Sequence, residues 1–201
     1  MKIRHAQQAM NAYGIAVIQK KLALIEPREE EPEKVAEEKI KQVAMQPGQA
    51  VMVEDSGIYI KALNGFPKTY VHFACKTLGI ENILKLLEGT DDRTAEFHQA
   101  LAYMEPPMKT PKIFSYIDGD FKVAEKIWAS ENGNKPGFDQ ILIPPGEDKP
   151  LCSFSEEWRA ERDVRQNGEK MHYVQLARWL TGKEPNEINR TDARGETAEN
   201  K

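Results

Sequence analysis

The stretch AVMVEDSGIYIKALNGFP, residues 50–67, decides how the chain folds. Its first half is apolar up to two adjacent carboxylates, Glu54 and Asp55, and this pattern predicts a strand that runs into charge. Neighbouring strand residues point to opposite faces, so the two acids share one solvated surface only if the strand ends there. A buried carboxylate needs a lysine, a metal or backbone N–H groups as a partner. The alternative is an exposed hairpin turn at residues 54–57, and the pattern alone leaves both open.

Composition limits the class of protein. The 201 residues have room for one domain with a core or for two small ones, and we expect one domain over 1–182 with a disordered polar tail over 183–201. A net charge of −4 argues against nucleic acid or a membrane surface as a partner. Cys75 and Cys152 match neither a metal spacing nor a disulfide framework, and we find no signal peptide or membrane-length apolar run. We therefore expect a cytoplasmic protein.

The remaining chain alternates between helical and strand patterns. Helical spacing covers 2–13, the segment from Pro32 to Ala44, 70–89 in two pieces, and 155–181 in two parts. Strand patterns cover 15–25, 93–106, 112–128 and FDQILIPPG at 138–146. Interleaved helices and strands predict an α/β or α+β fold, with a ligand site in the cleft between the sheet and the helices.

Several side chains are candidates for ligand contact. Lys39 shares a helix face with Val35 and Val43, so it either snorkels to solvent or projects into a site. Phe138 and Asp139 belong either to the core and a turn, or to a site that stacks on a planar base and hydrogen-bonds its edge. The further cationic candidates are His72, Arg162, Lys170 and His172.

Taken together, these blocks resemble the inosine triphosphate pyrophosphatase family, which removes non-canonical purine nucleoside triphosphates. VMVEDSGIYIKALNGFPKTYV is similar to the family's apolar strand followed by Glu-Asp-Thr/Ser-Gly and Ala-Leu-x-Gly-x-Pro-x-x-Tyr. LGIENILKLLEGTDDRTAEF continues the similarity, GFDQILIPPG resembles the family's base-recognition strand, and SFSEE resembles the segment after it. Lys39 falls on a helix lysine of the family. The resemblance covers roughly residues 2–181.

This resemblance implies an α/β fold, with an elongated mixed β-sheet flanked by helices and a central nucleotide-binding cleft, in a homodimer. It implies hydrolysis of Mg²⁺-bound ITP, dITP or XTP to the monophosphate and pyrophosphate. Asp55 would be the catalytic carboxylate and a Mg²⁺ ligand, Glu26 the second metal ligand, and Lys39 a phosphate or carboxylate partner. The other implied substrate contacts are Lys2, Ser56, Tyr70, His72, Phe138, Asp139, Arg162, Lys170 and His172.

The chain departs from the family's pattern near both ends. The family begins with a strand that ends in Thr/Ser-x-Asn-x-x-Lys. Here only Lys2 matches that motif, while the strand, the Thr/Ser and the Asn have no counterpart. Either a misplaced start or a genuine loss would explain this difference. Around His172, Met171 and Tyr173 stand where the family has serine and arginine.

The base-recognition region departs as well. It lacks two residues between Phe138 and Asp139, while in the motif around His172 either Arg162 or Lys170 would replace the family's lysine. These departures leave two alternatives to the expected enzyme. One is a catalytically impaired nucleotide-binding homologue, and the other is a pyrophosphatase that acts on a different nucleotide.

Overall fold

The computed structural model describes residues 2–44, 49–129 and 137–182, so the predicted tail over 183–201 lies outside the described residues. The side chains of Lys2 and Ala44 also lie outside them. The α-helices are α1 (Lys2–Asn11), α2 (Pro32–Ala44), α3 (Val71–Thr77), α4 (Gly79–Leu86), α5 (Glu156–Asn167) and α6 (His172–Thr181). The strands are β1 (Val51–Ile60), β2 (Pro67–Lys68), β3 (Thr94–Met104), β4 (Lys112–Val123) and β5 (Leu142–Ile143).

One five-stranded sheet in the order β2-β1-β3-β4-β5 organises the fold, and each described pair of neighbouring strands is antiparallel. The predicted α/β class is confirmed, and the sheet, which we expected to be mixed, is antiparallel in each of these pairs. The long strands β1 and β3 pair along their whole length, with Asp55 opposite Ala100. The Glu-Asp pair therefore lies in the middle of a paired strand, so the exposed hairpin turn is excluded.

Strand β1 separates two packed layers. Val51 and Val53, on one face, pack with Ala36 and Ile40 of α2. On the other face, Met52 packs in the cluster under α1 and α6, while residues 58 and 60 join the largest core beside α3 and α4. Successive side chains of β1 thus pack into different hydrophobic cores, because neighbouring residues of a strand point to opposite faces of the sheet.

Helix α2 follows its sequence pattern closely. Pro32 occupies the first position, where a missing backbone N–H costs nothing, and Glu33 in the first turn suits the positive end of the helix dipole. The apolar stripe at Val35, Ala36 and Ile40 is fully buried against the sheet. The helix therefore holds Lys39 at a fixed position beside β1.

Gly57 in β1 is required by a close approach of the backbone. A Cβ atom at this position would lie 2.8 Å from the carbonyl carbon and oxygen of Lys68 in β2. No side chain fits there without moving β2, so glycine allows the short edge strand to pair directly after the Glu-Asp-Ser segment.

The strand predicted over 15–25 is wrong, because this segment has no regular secondary structure. The side-chain amide of Gln42 takes the place of a neighbouring strand at Ile25, where it accepts from the backbone N–H at 2.8 Å and donates to the carbonyl at 2.9 Å. Ile18 and Ile25 are 90% and 79% exposed. A segment with high strand propensity forms a strand only where the edge of a neighbouring strand accepts its hydrogen bonds. None of the described strands pairs with this segment.

The region 137–146 also differs in detail from the prediction. Residues Phe138–Gln140 form a 3₁₀ turn, and the strand is limited to Leu142–Ile143. Strand β4 ends at Val123, earlier than predicted. Within the described residues, no helix is long and apolar enough to cross a membrane.

Candidate active site

Asp55 lies on the face of β1 that α2 covers. Lys39 Nζ lies 2.7 Å from Asp55 Oδ1, and the two side chains are each 12% exposed. The same ammonium lies 2.6 Å from Oε1 of Glu26, which reaches in from the irregular segment before α2. Of the partners that the sequence offered for a buried carboxylate, the structure uses the lysine.

The electrostatics of this group keep Lys39 charged. Burial alone would lower the pKa of Lys39, but its hydrogen bonds to Asp55 and Glu26 outweigh burial, so the pKa is raised above its ordinary value. Two carboxylates around one ammonium carry a net negative charge. Glu26 remains 71% exposed, so the group is open to solvent on one side.

The opposite face of β1 borders a cavity of about 170 Å³ between the sheet and helices α5 and α6. Glu54 and Ser56, the neighbours of Asp55, line it. A single water needs only about 10–15 Å³ by the same measure, so the space suits a ring-sized ligand. Its apolar walls come from Phe97, Tyr116, Phe121, Leu151 and Met171.

Two arginines of α5 line the cavity, and both are paired within the protein. Arg162 donates two hydrogen bonds to Asp118 of β4, at 2.5 and 3.1 Å. Arg159 donates to Asp139 at 2.7 Å and to the carbonyl of Leu151 at 2.5 Å. These contacts tie α5 to the sheet and to the loop that precedes β5.

Glu54 is held by the start of α6. The hydroxyl of Tyr173 donates to Glu54 Oε2 at 2.5 Å, and His172 Nε2 lies 4.0 Å from Oε1. Burial, followed by the charge of Glu54, raises the pKa of Tyr173, so its hydroxyl stays protonated and remains a donor. Tyr173, which stands where the resemblance expects arginine, therefore binds a cavity carboxylate.

The structure sorts the predicted site residues into two groups. Glu26, Lys39 and Asp55 converge on the α2 side of the sheet. On the cavity side lie Ser56, Asp139, Arg162 and His172.

The other predicted residues join neither group. Tyr70 is half-buried just before α3, whereas His72 and Lys170 are exposed. Phe138 is only 4% exposed, packs in the largest core and does not line the cavity. The roles proposed for these four residues in substrate binding stay predictions, as does that of Lys2, whose side chain lies outside the described residues.

Sequence reasoning missed several cavity residues, although signals for them were present. Asp118 continues the inward register of Phe114 and Tyr116 in β4, and an acid at an apolar position of a strand indicates a buried partner. Arg159 lies three residues before the predicted Arg162 on α5 and so shares its face. His5 gave no such signal, because only the packing of α1 brings it to the cavity.

Known proteins share this sequence and fold. The dITP/XTP pyrophosphatase of Methanopyrus kandleri is 38% identical over 156 residues, 78% of this chain and 80% of that protein. The enzyme of the same name from Thermococcus kodakarensis is 32% identical over 181 residues, 89% of this chain and 91% of that protein. The Staphylococcus aureus Ham1 protein superposes with a TM-score of 0.63 at 24% identity, covering 81% of this chain and 82% of the other. A HAM1 protein from Coxiella burnetii superposes with a TM-score of 0.62 at 21% identity, covering 90% of this chain and 94% of the other.

The fold, the charged groups on β1 and these relatives define the class: the protein is a nucleotide pyrophosphatase, a hydrolase that acts on phosphorus anhydrides. More particularly, the chain belongs to the Ham1 family, whose sequence profile matches residues 1–170.

Proposed function

We propose that this protein hydrolyses non-canonical purine nucleoside triphosphates, namely ITP, dITP and XTP, to the monophosphate and pyrophosphate. The observation that carries the proposal is the pair of sites on one strand. Lys39, Glu26 and Asp55 converge on one face of β1, and a ring-sized cavity borders the other. The relatives named dITP/XTP pyrophosphatase support this choice of substrates.

The α2 side suits Mg²⁺ and the triphosphate. Its donor set consists of two carboxylates, which are the oxygen ligands that Mg²⁺ prefers, and Mg²⁺ needs few protein ligands because it keeps several waters. Asp55 and Glu26 are the proposed ligands, because both carboxylates converge on the ammonium of Lys39. The chemistry that Mg²⁺ supplies when bound is neutralisation of charge on the triphosphate.

The chain's own residues would perform the remaining steps on this side. Asp55, held by Lys39 and by the paired strand, would accept the proton of the water that attacks phosphorus. The raised pKa of Lys39 keeps its ammonium cationic. This charge would attract the phosphate oxygens of the substrate. Phosphoryl chemistry needs little more from a protein than such positioning and charge stabilisation.

The cavity would hold the purine. Arg162, Asp139 and His172 lie on its wall and would contact the base edge, and Ser56, the neighbour of Asp55 in β1, lines the same cavity. The stacking role that the resemblance implies for Phe138 stays a prediction, because its ring packs in the largest core and does not line this cavity. The impaired homologue is not favoured by any contact in the described residues, because the Lys39–Asp55–Glu26 group is assembled.

We also propose a cytoplasmic homodimer, as the resemblance implies. Sedimentation of the purified protein checks the oligomeric state: a species near twice 22.9 kDa is expected, and a monomer at micromolar concentration would contradict the dimer.

A substrate panel tests the proposed reaction. The purified protein with Mg²⁺ is incubated with ITP, dITP, XTP and ATP, and the products are separated by ion-exchange chromatography. Equal amounts of pyrophosphate and nucleoside monophosphate are expected from the first three substrates, with much less from ATP. Release of inorganic phosphate with a nucleoside diphosphate, or no product from any oxopurine substrate, would overturn the proposal.

A further inference from the structure

His5, in the first turn of α1, reaches the cavity from an element that carries none of the contacts described above. Its side chain is 13% exposed, and Nδ1 lies 3.3 Å from Oδ2 of Asp163 on α5. Arg4 strengthens the same junction with a 2.8 Å hydrogen bond to Glu157. The ring is therefore held in place on the cavity wall.

The carboxylate of Asp163 bridges the imidazole and the guanidinium of Arg162. Its Oδ1 accepts a hydrogen bond from Arg162 at 3.1 Å, and its Oδ2 faces Nδ1 of His5. Burial raises the pKa of Asp163, but the neighbouring His5 and Arg162 oppose that rise, so we assign an ionised carboxylate that accepts from Nδ1–H of His5. This tautomer leaves Nε2 of a neutral imidazole as an acceptor.

Nε2 of His5 is buried and has no hydrogen-bond partner among the described residues. A buried acceptor without a donor destabilises a protein, so such a group on a cavity wall indicates that a ligand supplies the donor. The bases of ITP and XTP carry an N1–H group that adenine lacks. An acceptor on the wall of a base cavity would distinguish these bases by that proton.

We propose that His5 is a specificity-determining residue, whose Nε2 accepts a hydrogen bond from N1–H of a bound 6-oxopurine while Asp163 holds the ring as a positioning residue. This inference rests on the proposed function, because it needs the base to lie in the cavity. It adds a residue of α1 to base recognition.

A matched set of variants and substrates tests the contact. In His5→Asn, the amide nitrogen stands close to the position of Nδ1 and retains the bond to Asp163, but nothing replaces Nε2. The substrates are ITP and 1-methylinosine triphosphate, which has no N1–H. We expect kcat/KM for ITP to fall roughly 3- to 10-fold in His5→Asn, mainly through KM, with no fall for the methylated substrate. His5→Gln returns an amide near Nε2 and should recover part of the loss.

The other outcomes overturn the inference. An equal loss for both substrates, or a lowered melting temperature with a fall in kcat, would show that His5 is only structural. Unchanged kinetics for ITP would show that His5 does not touch the base. Calorimetric titration with IMP and 1-methyl-IMP measures the same contact without turnover. A failure of the proposed reaction is thus distinguished from a failure of the His5 contact.

Discussion

Adjacent residues of β1, Glu54 and Asp55, face two different environments. On the Asp55 side, one lysine is shared by two carboxylates, and Glu26 stays largely exposed. On the Glu54 side, the carboxylate bonds to Tyr173 within a cavity whose arginines are already paired. The difference teaches that the first side presents an exposed carboxylate, Glu26, to an incoming cation, whereas the second side offers a largely covered wall of hydrogen-bond donors and acceptors.

This contrast assigns different kinetic effects to the two neighbours. Changes on the Asp55 side should act on the chemical step and therefore on kcat. Changes on the Glu54 side should act on binding of the base and therefore on KM. Four variants, taken from the largest expected effect to the smallest, test whether the two sides are this distinct.

Asp55→Asn should have the largest effect. It keeps the shape and a hydrogen-bonding group beside Lys39 but removes the proposed proton acceptor and a metal ligand. We expect kcat for ITP to fall roughly 10²- to 10⁴-fold, with the thermal melting temperature changed by only a few degrees. Pyrophosphate release under saturating Mg²⁺ measures the effect. A variant that keeps more than a tenth of the wild-type kcat would remove Asp55 from the chemistry.

Lys39→Met should cost stability, because it leaves Asp55 on a covered face without its cation. We expect the free energy of unfolding at pH 7 to fall by about 2–4 kcal/mol, with millimolar Mg²⁺ restoring part of it through the two carboxylates. Urea denaturation with and without Mg²⁺ measures both effects. The control is Lys41→Met, which breaks exposed pairs with Glu37 and Glu38 and should change stability little.

The same pair has a pH dependence of defined sign. The pKa of Lys39 is raised in the folded state, so the stability from its contacts is fully present below 10.5, the ordinary value, and is lost as pH rises through the raised pKa. The stability difference between wild type and Lys39→Met should therefore be constant near neutrality and shrink above pH 10.5. A difference that grows at high pH would contradict the ion pair.

Glu54→Gln tests the other side of the strand. The amide oxygen can still accept from Tyr173, but the bond loses its charge assistance. We expect KM for ITP to rise roughly 3- to 10-fold with kcat changed by less than about twofold. Steady-state kinetics of Glu54→Gln and Asp55→Asn, measured side by side, show whether the first variant changes KM and the second changes kcat. If Glu54→Gln lowered kcat as strongly as Asp55→Asn, the proposed separation of the two faces would be wrong.

The amino-acid sequence predicts the first of these sides better than the second, for a physical reason. Lys39 and Asp55 lie on elements with clear periodicity, which places each on a defined face, and the resemblance to the family then implies a carboxylate or phosphate partner for Lys39. The cavity instead depends on how α1, α5 and α6 pack on the sheet. His5 and Asp163 are 158 positions apart, and no local pattern links them.

The strand predicted over 15–25 shows a second limit of prediction from sequence, because local strand propensity alone does not form a strand. Its side chains have strand propensity, but a strand exists only where another edge accepts its hydrogen bonds, and the amide of Gln42 occupies Ile25 instead. Asp118 and Arg162 illustrate the same lesson in the core. Each is a charged residue at a buried position of its own element, and only the fold shows that Arg162 donates hydrogen bonds to the carboxylate of Asp118.

Tyr173→Phe should have the smallest effect and is the sharpest test of the contrast. It removes the hydroxyl that donates to Glu54, so we expect stability to fall by about 1 kcal/mol and KM for ITP to rise about two- to fivefold at unchanged kcat. The matched control is Tyr103→Phe, which removes a similar Tyr–Glu bond, 2.9 Å long to Glu105, at a residue that does not line the cavity. It should show a similar loss of stability with no change in KM. Equal KM changes in both variants would mean that the Tyr173 hydroxyl has only a structural role, and the cavity side would lose its assigned part in binding the base.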